Sequence, residues 1–341
     1  MRCRAASLLG AFLIFLSTVA AWAEPLRIAT FHTELSRKGP GILVRDLEQQ
    51  KPNPQIEAVI ATLVEAQPDI VLLQGIDWDM SPRVAEALSR RLSDAGLPGM
   101  RGFARQPNAG FPSGVDLDGD GQTNGPGDSY GWGRFSGQGG MLLLSRLPID
   151  ETRSETFSDL LWRNLPDHQM PRHPDGSPFP SARAWEVWRL SSVGLWAVPI
   201  TLPDGRDLWL LGFHAAPPVF DGPEDRNGRR NADEIRLWRH VLDGTITSAV
   251  TGPLVLAGSA NLDPVRGDGR HAAIRDLLAH PKLQDPQPRD GAGNDHTVTW
   301  EHAGDMRVDY VLPASQMTVI DSGILRSAGS RHGLVWVDIL P

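Results

Sequence analysis

Residues 254–264 have the sequence LVLAGSANLDP, in which an apolar run gives way to small polar residues. Leu254, Val255 and Leu256 predict a buried strand. Ser259 and Asn261 follow at the point where such a strand would end. Polar side chains in this position are typical of α/β proteins, which carry functional groups on loops at a sheet edge. The stretch therefore predicts a functional loop around Asn261.

Short apolar runs of the same kind recur along the chain. They predict eight strands, at residues 26–31, 70–74, 140–145, 196–200, 208–214, 254–258, 307–312 and 334–339. Amphipathic patterns predict helices at residues 54–66, 79–95, 232–242 and 269–278. No helix is predicted between the strands of residues 196–214, and this favours antiparallel pairing. Together the elements predict a mixed-sheet α/β sandwich rather than a doubly wound parallel sheet.

The chain begins with a pattern typical of a signal peptide. Arg2 and Arg4 precede an apolar run at residues 8–20, and Ala21-Trp22-Ala23 matches an A-x-A cleavage site. The run is shorter than the roughly 20 residues that a membrane span needs. We therefore expect a signal peptide at residues 1–23, a single domain at residues 24–341 without a membrane span, and a periplasmic or secreted location.

Composition narrows the classes of function. The only cysteine, Cys3, lies in the predicted signal peptide, so the mature chain has neither disulfides nor thiol chemistry. The formal net charge is −8, which argues against a large non-specific nucleic-acid footprint. A small anionic ligand in a local basic pocket is compatible with this charge.

Two long stretches are predicted to be irregular. Residues 107–140 are rich in Gly, Asp and Pro, and residues 164–183 contain five prolines. Loops of this length are uncommon unless they are functional or stabilised by an ion.

The first of these loops contains DLDGDGQTNGPGD, residues 116–128. Asp116, Asp118 and Asp120 alternate and are followed by Gly121, as in the first half of a calcium-binding loop. The twelfth position, where a bidentate glutamate is usual, is Gly127. The pattern predicts a structural cation, Ca²⁺, held by the three aspartates; the alternative is a flexible acidic loop.

Six segments, taken in chain order, resemble motifs of the endonuclease/exonuclease/phosphatase superfamily, which includes the DNase I-like nucleases and the sphingomyelinases. They are LRIATFHTELSR (26–37), PDIVLLQGIDWD (68–79), LLGFHAAPP (210–218), LVLAGSANLDP (254–264), RVDYVLP (307–313) and SRHGLVWVD (330–338). The resemblance implies a DNase I-like four-layered α/β sandwich, in which two mixed β-sheets pack face to face with helices outside. It also implies phosphoester hydrolysis with a hard divalent cation, usually Mg²⁺.

Four residues match the family's catalytic positions. By resemblance, His214 and His332 are acid/base or phosphate-contacting groups, Asp309 orients His332, and Asn261 positions the phosphate or the attacking water. An Asp309–His332 pair would fix the tautomer of the imidazole. The expected ligand is a small phosphorylated molecule, and we expect a monomer.

Four other positions depart from the family pattern. His32 replaces an asparagine, while Gly75, Ser259 and Arg331 replace a glutamate and two aspartates. A Mg²⁺ site would not survive this change intact, because the charge of the ligands offsets the cost of dehydrating the ion.

Two explanations of these departures remain open. Glu34, Asp77 and Asp263 each lie two residues from a family position, so a relocated metal site is one alternative. The other alternative is phosphate binding without a metal, in which His32 and Arg331 contact the phosphate together with His214 and His332.

The sequence therefore leaves three functions open. They are phosphoester hydrolysis, binding of a phosphorylated ligand without metal-dependent turnover, and a purely structural or interaction role.

Overall fold

The computed structural model describes residues 24–49 and 51–341, so the predicted signal peptide at residues 1–23 lies outside the described residues. Within these ranges the strands are β1 (Leu26–His32), β2 (Ile70–Ile76), β3 (Arg101–Phe103), β4 (Gly140–Ser145), β5 (Glu155–Thr156), β6 (Gly194–Thr201), β7 (Asp207–His214), β8 (Leu254–Ser259), β9 (Val298–Trp300), β10 (Gly304–Met306), β11 (Asp309–Pro313), β12 (Thr318–Leu325) and β13 (Leu334–Leu340). The α-helices are α1 (Ile42–Glu48), α2 (Pro54–Ala66), α3 (Arg83–Asp94), α4 (Ala182–Val187), α5 (Arg226–Leu242) and α6 (Ala272–Leu278). In this part of the chain, none of the helices combines the length and the apolar character that a bilayer crossing requires.

All eight predicted strands form, and helix α2 has the predicted bounds. Helix α2 begins where the Asn53 side chain accepts hydrogen bonds from the backbone N–H groups of Gln55 and Ile56, directly before Pro54. Helix α5 begins six residues earlier than predicted, at Arg226. Helices α1 and α4 and the strands β3, β5, β9 and β10 were not predicted, because their apolar patterns span too few residues to be distinguished from loops. The longer strand β12 was not predicted either, because only two of its eight residues are buried.

Eleven of the strands form two sheets. The six-stranded sheet has the order β12-β13-β1-β2-β4-β3, and the five-stranded sheet has the order β11-β8-β7-β6-β5. Each sheet mixes one parallel pair, β1 with β2 or β7 with β8, with antiparallel pairs. The pair formed by β6 and β7 is antiparallel, as predicted.

The two sheets pack face to face around one large hydrophobic core. Ile28 and Leu72 of the first sheet share this core with Leu210 and Leu256 of the second. The approach is close at Gly212, where an added Cβ would lie 3.1 Å from Leu72 Cδ2. Helices α1, α2 and α3 cover the outer face of the six-stranded sheet, where they bury residues such as Phe31. The predicted α/β sandwich of two mixed sheets is therefore confirmed.

The topology brings the candidate residues to one edge of the sandwich. His32 and His214 are the last residues of β1 and β7. His214 is in register with Ser259 on parallel strand β8, and Ser259 is in register with Asp309 on antiparallel strand β11. Residues in register on neighbouring strands share one face of the sheet, so the side chains of His214, Ser259 and Asp309 lie side by side.

Candidate functional site

A cleft of about 770 Å³ opens at this edge, and His32, Gly75 and His214 lie in its lining. One wall comes from the long loop at residues 107–139, which is irregular as predicted except for the short 3₁₀ turn Pro126–Asp128. The opposite wall comes from the segment after β7. The cleft is within the size range of sites for small ligands.

His332 and Asp309 form a buried pair beside the cleft. His332 Nδ1 lies 2.7 Å from Asp309 Oδ2, and the two side chains are 4% and 0% exposed. Trp300 packs its ring edge-on against His332, with 5.9 Å between the ring centroids. The carboxylate thus fixes the orientation of the imidazole, as the resemblance implied.

His32 lies between this pair and His214. Its ring stacks on His332, with 4.4 Å between centroids and 22° between planes, and meets His214 edge-on at 5.0 Å. His32 and His214 line the cleft, whereas His332 is buried beneath His32. The imidazoles exposed to the cleft are therefore those of His32 and His214.

Burial keeps these two imidazoles neutral. It lowers the pKa of His214 to about 4, and the nearby His332 lowers it further while Asp309 opposes the change. Burial and the two neighbouring histidines also lower the pKa of His32 well below its usual range. Within residues 24–49 and 51–341, the Nδ1 atoms of both rings are buried and have no hydrogen-bond partner.

Acidification is expected to destabilise the fold through His214. The unfolded chain takes up a proton near pH 6.5 and the folded chain only near pH 4, so the stabilisation is complete above pH 6.5 and is lost as the pH falls through this window. The loss at pH 4 is about 3 kcal/mol. Urea unfolding of wild type and His214→Gln across this range checks the value. His302→Gln, at an exposed position, is the control; an unchanged pH profile in His214→Gln would contradict the assignment.

Arg331 does not converge on the histidines. Its Nε lies 2.8 Å from Glu34 Oε1, its backbone N–H donates to Glu34 Oε2 at 2.8 Å, and Nη2 also contacts the carboxylate. Burial raises the pKa of Glu34, but its hydrogen bonds from Arg331 outweigh this effect and leave the pKa lowered. The guanidinium fork proposed for phosphate is therefore occupied by a carboxylate of the same chain.

Gly75 has no space for a larger side chain. It forms a bulge in β2 with φ of 64°, and an added Cβ would lie 2.6 Å from His32 Cε1. The imidazole of His32 thus fills the volume that a side chain at position 75 would need.

The other nearby carboxylates are also engaged. Asp77 accepts hydrogen bonds from Ser36 Oγ and from the backbone N–H groups of Arg37 and Gly139. Asp263 accepts from three backbone N–H groups, those of Val265, Arg266 and Arg307. With Glu34 held by Arg331, all three acids considered for a relocated site have structural roles.

The residues at the cleft therefore do not fit the Mg²⁺ site implied by the family. In the part of the chain that the structure describes, the one group of three or more candidate ligands within 4.8 Å of one another includes none of the histidines. That group consists of Asp116, Asp118, Asp120 and Asp128.

Asn261 and Ser259 lie at the end of β8, beside the histidines. Asn261 has a left-handed backbone, with φ of 49°, and its Nδ2 donates to Ala215 O at 2.8 Å. Ser259 is fully buried between His214 and Asp309 in the sheet register. Among the described residues, Ser259 Oγ and Asp309 Oδ1 have no hydrogen-bond partner.

Glu234 connects two segments that line the cleft, one at Ser192 and one at Ala216, and was not among the predicted site residues. It is fully buried on α5, and its Oε1 accepts from Ser192 N at 2.6 Å and from Ser192 Oγ at 2.8 Å. Its Oε2 accepts from Ala216 N at 2.7 Å, and both partners line the cleft. Arg230, Asp233 and Glu234 are all buried, although they lie in a highly charged segment of the sequence.

The predicted calcium loop brings its aspartates together. Asp116, Asp118 and Asp120 are joined by Asp128, one position beyond the missing glutamate. Burial raises the pKa of Asp118, as do the charges of Asp120 and Asp128. Gly127 allows the approach, because a Cβ there would lie 1.9 Å from Asp118 Oδ2. An acidic cluster is therefore present where the sequence predicted one.

A sequence model of the endonuclease/exonuclease/phosphatase family matches residues 44–332 of the chain. A search of curated proteins gave no match.

Solved structures share the fold at low sequence identity. An endonuclease/exonuclease/phosphatase from Beutenbergia cavernae DSM 12333 has a TM-score of 0.56 and 17% identity, over 93% of this chain and 71% of that chain. A mannosyl-6-phosphatase from Bacteroides thetaiotaomicron VPI-5482 has a TM-score of 0.53 and 15% identity, over 93% and 100% of the two chains. Sphingomyelinase C from Streptomyces griseocarneus has a TM-score of 0.51 and 16% identity, over 92% and 99%. The family and fold implied by the six motifs are confirmed.

Proposed function

The chain belongs to the endonuclease/exonuclease/phosphatase family, a family of phosphoester hydrolases and nucleases, and from this premise we propose that its cleft binds a small phosphorylated ligand without Mg²⁺-dependent turnover. His32 and His214 contact the phosphoryl group. The Asp309–His332 pair supports His32 from below and holds its ring at the cleft.

One observation carries this proposal. The imidazole of His32 fills the space beside Gly75, where the family places a metal-binding glutamate. The change exchanges a carboxylate, which would repel a phosphate, for a ring nitrogen that donates a hydrogen bond. Hydrogen bonds that involve a charged group contribute about 1.5–3 kcal/mol each.

Phosphate binding is expected to be insensitive to chelator and to depend on His214. His214→Ala should weaken the binding of methyl phosphate about tenfold or more, through the loss of one charge-assisted hydrogen bond. Isothermal titration with EDTA measures this, and His302→Gln is the control variant.

A parallel assay of a phosphodiester and a phosphomonoester with Mg²⁺, Mn²⁺, Ca²⁺ or EDTA tests turnover. Metal-stimulated hydrolysis by the wild type would overturn the proposal and support the second candidate, phosphoester hydrolysis. The buried Asp309–His332 pair favours that candidate, because it retains the family's oriented histidine. Absence of both binding and hydrolysis would support a structural or interaction role.

We also propose that the acidic cluster holds a structural Ca²⁺. Asp118 belongs to the cleft wall, and its carbonyl oxygen accepts from Arg226 Nη1 at 2.8 Å. Removal of the ion should loosen residues 114–140, because the four carboxylates then repel one another. Faster proteolysis within this loop in EDTA, reversed by Ca²⁺ but not by Mg²⁺, is the expected result. A cleavage rate unaffected by EDTA would contradict it.

The N-terminal sequence bears on where the protein acts. From the predicted signal peptide at residues 1–23, we propose that the mature chain begins at Glu24 and acts in the periplasm or outside the cell.

A further inference from the structure

We propose that the ligand of the cleft carries a single phosphoryl group joined to a planar apolar ring. This inference rests on the proposed function and names the class of molecule that the same cleft would take.

The walls and the mouth of the cleft are apolar. Leu117 and Trp188 are buried in the walls, and Val193 and Ala215 lie near the histidines. At the mouth, Trp132 and Phe220 are 61% and 84% exposed. Exposed aromatic side chains that line the same concave site as polar groups indicate a ligand with an apolar part.

The backbone of Phe220 is strained, and its side chain is exposed. Its φ is 73°, in the left-handed region that bulky residues rarely adopt. Asn227 holds this turn, since its Nδ2 donates to Val219 O at 2.7 Å and its N–H contacts Asp221. A strained residue that presents a large apolar side chain to solvent at a cleft is a candidate for ligand contact.

The charges of the cleft limit the ligand to one phosphoryl group. Arg230 is buried, and its Nε and Nη2 donate to the carbonyl oxygens of Leu190 and Ser191, each at 2.8 Å. Arg226 Nη1 donates to Asp118 O. Among the described residues that line the cleft, Arg230 is committed to backbone carbonyl oxygens, Arg226 is bonded only through Nη1, and the charge of Glu34 is paired with Arg331. Because the imidazoles of His32 and His214 are neutral, a polyphosphate or a nucleic-acid strand would find too few positive charges along the cleft to balance its additional phosphates.

A ring-bearing monophosphate satisfies both constraints. The phosphoryl group reaches His32 and His214, and the ring lies against the aromatic mouth. A planar ring gains more from contact with the Trp132 indole than an alkyl group of similar size, because two aromatic surfaces can stack. Stacking of one ring on an aromatic side chain contributes about 1–3 kcal/mol.

Titration with a matched pair of ligands tests the inference. In EDTA, 1-naphthyl phosphate should bind wild type at least about tenfold more tightly than methyl phosphate. Trp132→Ala and Phe220→Ala should each reduce this advantage to about threefold or less, while the affinity for methyl phosphate stays within about twofold. Met80→Ala removes an equally exposed apolar side chain that does not line the cleft, and should leave both affinities unchanged.

Failure of the inference and failure of the proposed function have different signatures. If both phosphates bind equally well, the ring site is wrong and phosphate binding stands. If neither phosphate binds, the proposed function itself is wrong. A single-stranded oligonucleotide that binds more tightly than 1-naphthyl phosphate would overturn the limit to one phosphoryl group.

Discussion

The variant His32→Asn/Gly75→Glu/Ser259→Asp/Arg331→Asp should hydrolyse a generic phosphodiester in Mg²⁺ at least about a hundredfold faster than the wild type. Three of these substitutions restore carboxylates at family positions, where they supply hard oxygen ligands. The fourth removes the imidazole that fills the space beside residue 75. The release of p-nitrophenol from bis(p-nitrophenyl) phosphate, with Mg²⁺ or with EDTA, measures the gain.

The matched control keeps His32 and carries only the three carboxylate substitutions. A Cβ at position 75 would then lie 2.6 Å from His32 Cε1, so we expect a destabilised protein without activity. The left-handed backbone at position 75 adds roughly 1–2 kcal/mol of strain in both variants. If the wild type and the variant with all four substitutions hydrolyse the phosphodiester at equal rates, the four departures from the family pattern do not determine Mg²⁺-dependent hydrolysis.

The fold could be predicted because its signals are local. Each of the eight predicted strands is a run of apolar residues bounded by turns, whereas β12 was missed because only two of its eight residues are buried. The motif order then distinguishes this sandwich from other mixed-sheet folds. The first turns of helix α5 were also missed, because Arg230 and Glu234 resemble surface residues in the sequence and find their buried partners only in three dimensions.

The candidate site could be predicted only in part. His32, His214 and Asp309 lie at strand ends on the same edge, and His332, two residues before β13, meets them there. The packing of the His32 ring against Gly75 could not be predicted. A glycine in a β-bulge has no sequence signature that distinguishes it from an ordinary strand glycine.

The ion pair of Arg331 with Glu34 was missed for a related reason. The two residues are 297 positions apart. Glu34 reaches Arg331 through a left-handed backbone, with φ of 52°, that takes its side chain out of the strand alternation. Glu34 would share a face with His32 only if the strand continued to residue 34, whereas β1 ends at His32.

Glu234→Ala should lower the free energy of unfolding by about 3–5 kcal/mol, an effect expected for loss of a buried, fully bonded charge. The carboxylate accepts from two buried backbone N–H groups and one hydroxyl, all from segments that form the cleft. Alanine would leave these donors without acceptors and Arg230 without its nearby negative charge. Urea unfolding at pH 7 measures the change, and Glu186→Ala, on the exposed side of α4, should stay within about 0.5 kcal/mol of wild type.

The variant Glu234→Gln distinguishes an effect of the carboxylate on stability from an effect on the shape of the cleft. One amide oxygen can accept from Ser192 or from Ala216 but not from both, so the hydrogen bond to one of the two segments is lost while the side-chain volume is kept. We expect a loss of about 1–3 kcal/mol, with the fold retained and binding of methyl phosphate weakened. If Glu234→Ala costs less than about 1 kcal/mol, the carboxylate does not hold the segments of Ser192 and Ala216 together. If Glu234→Gln lowers stability but leaves phosphate affinity unchanged, the carboxylate supports the fold without shaping the cleft.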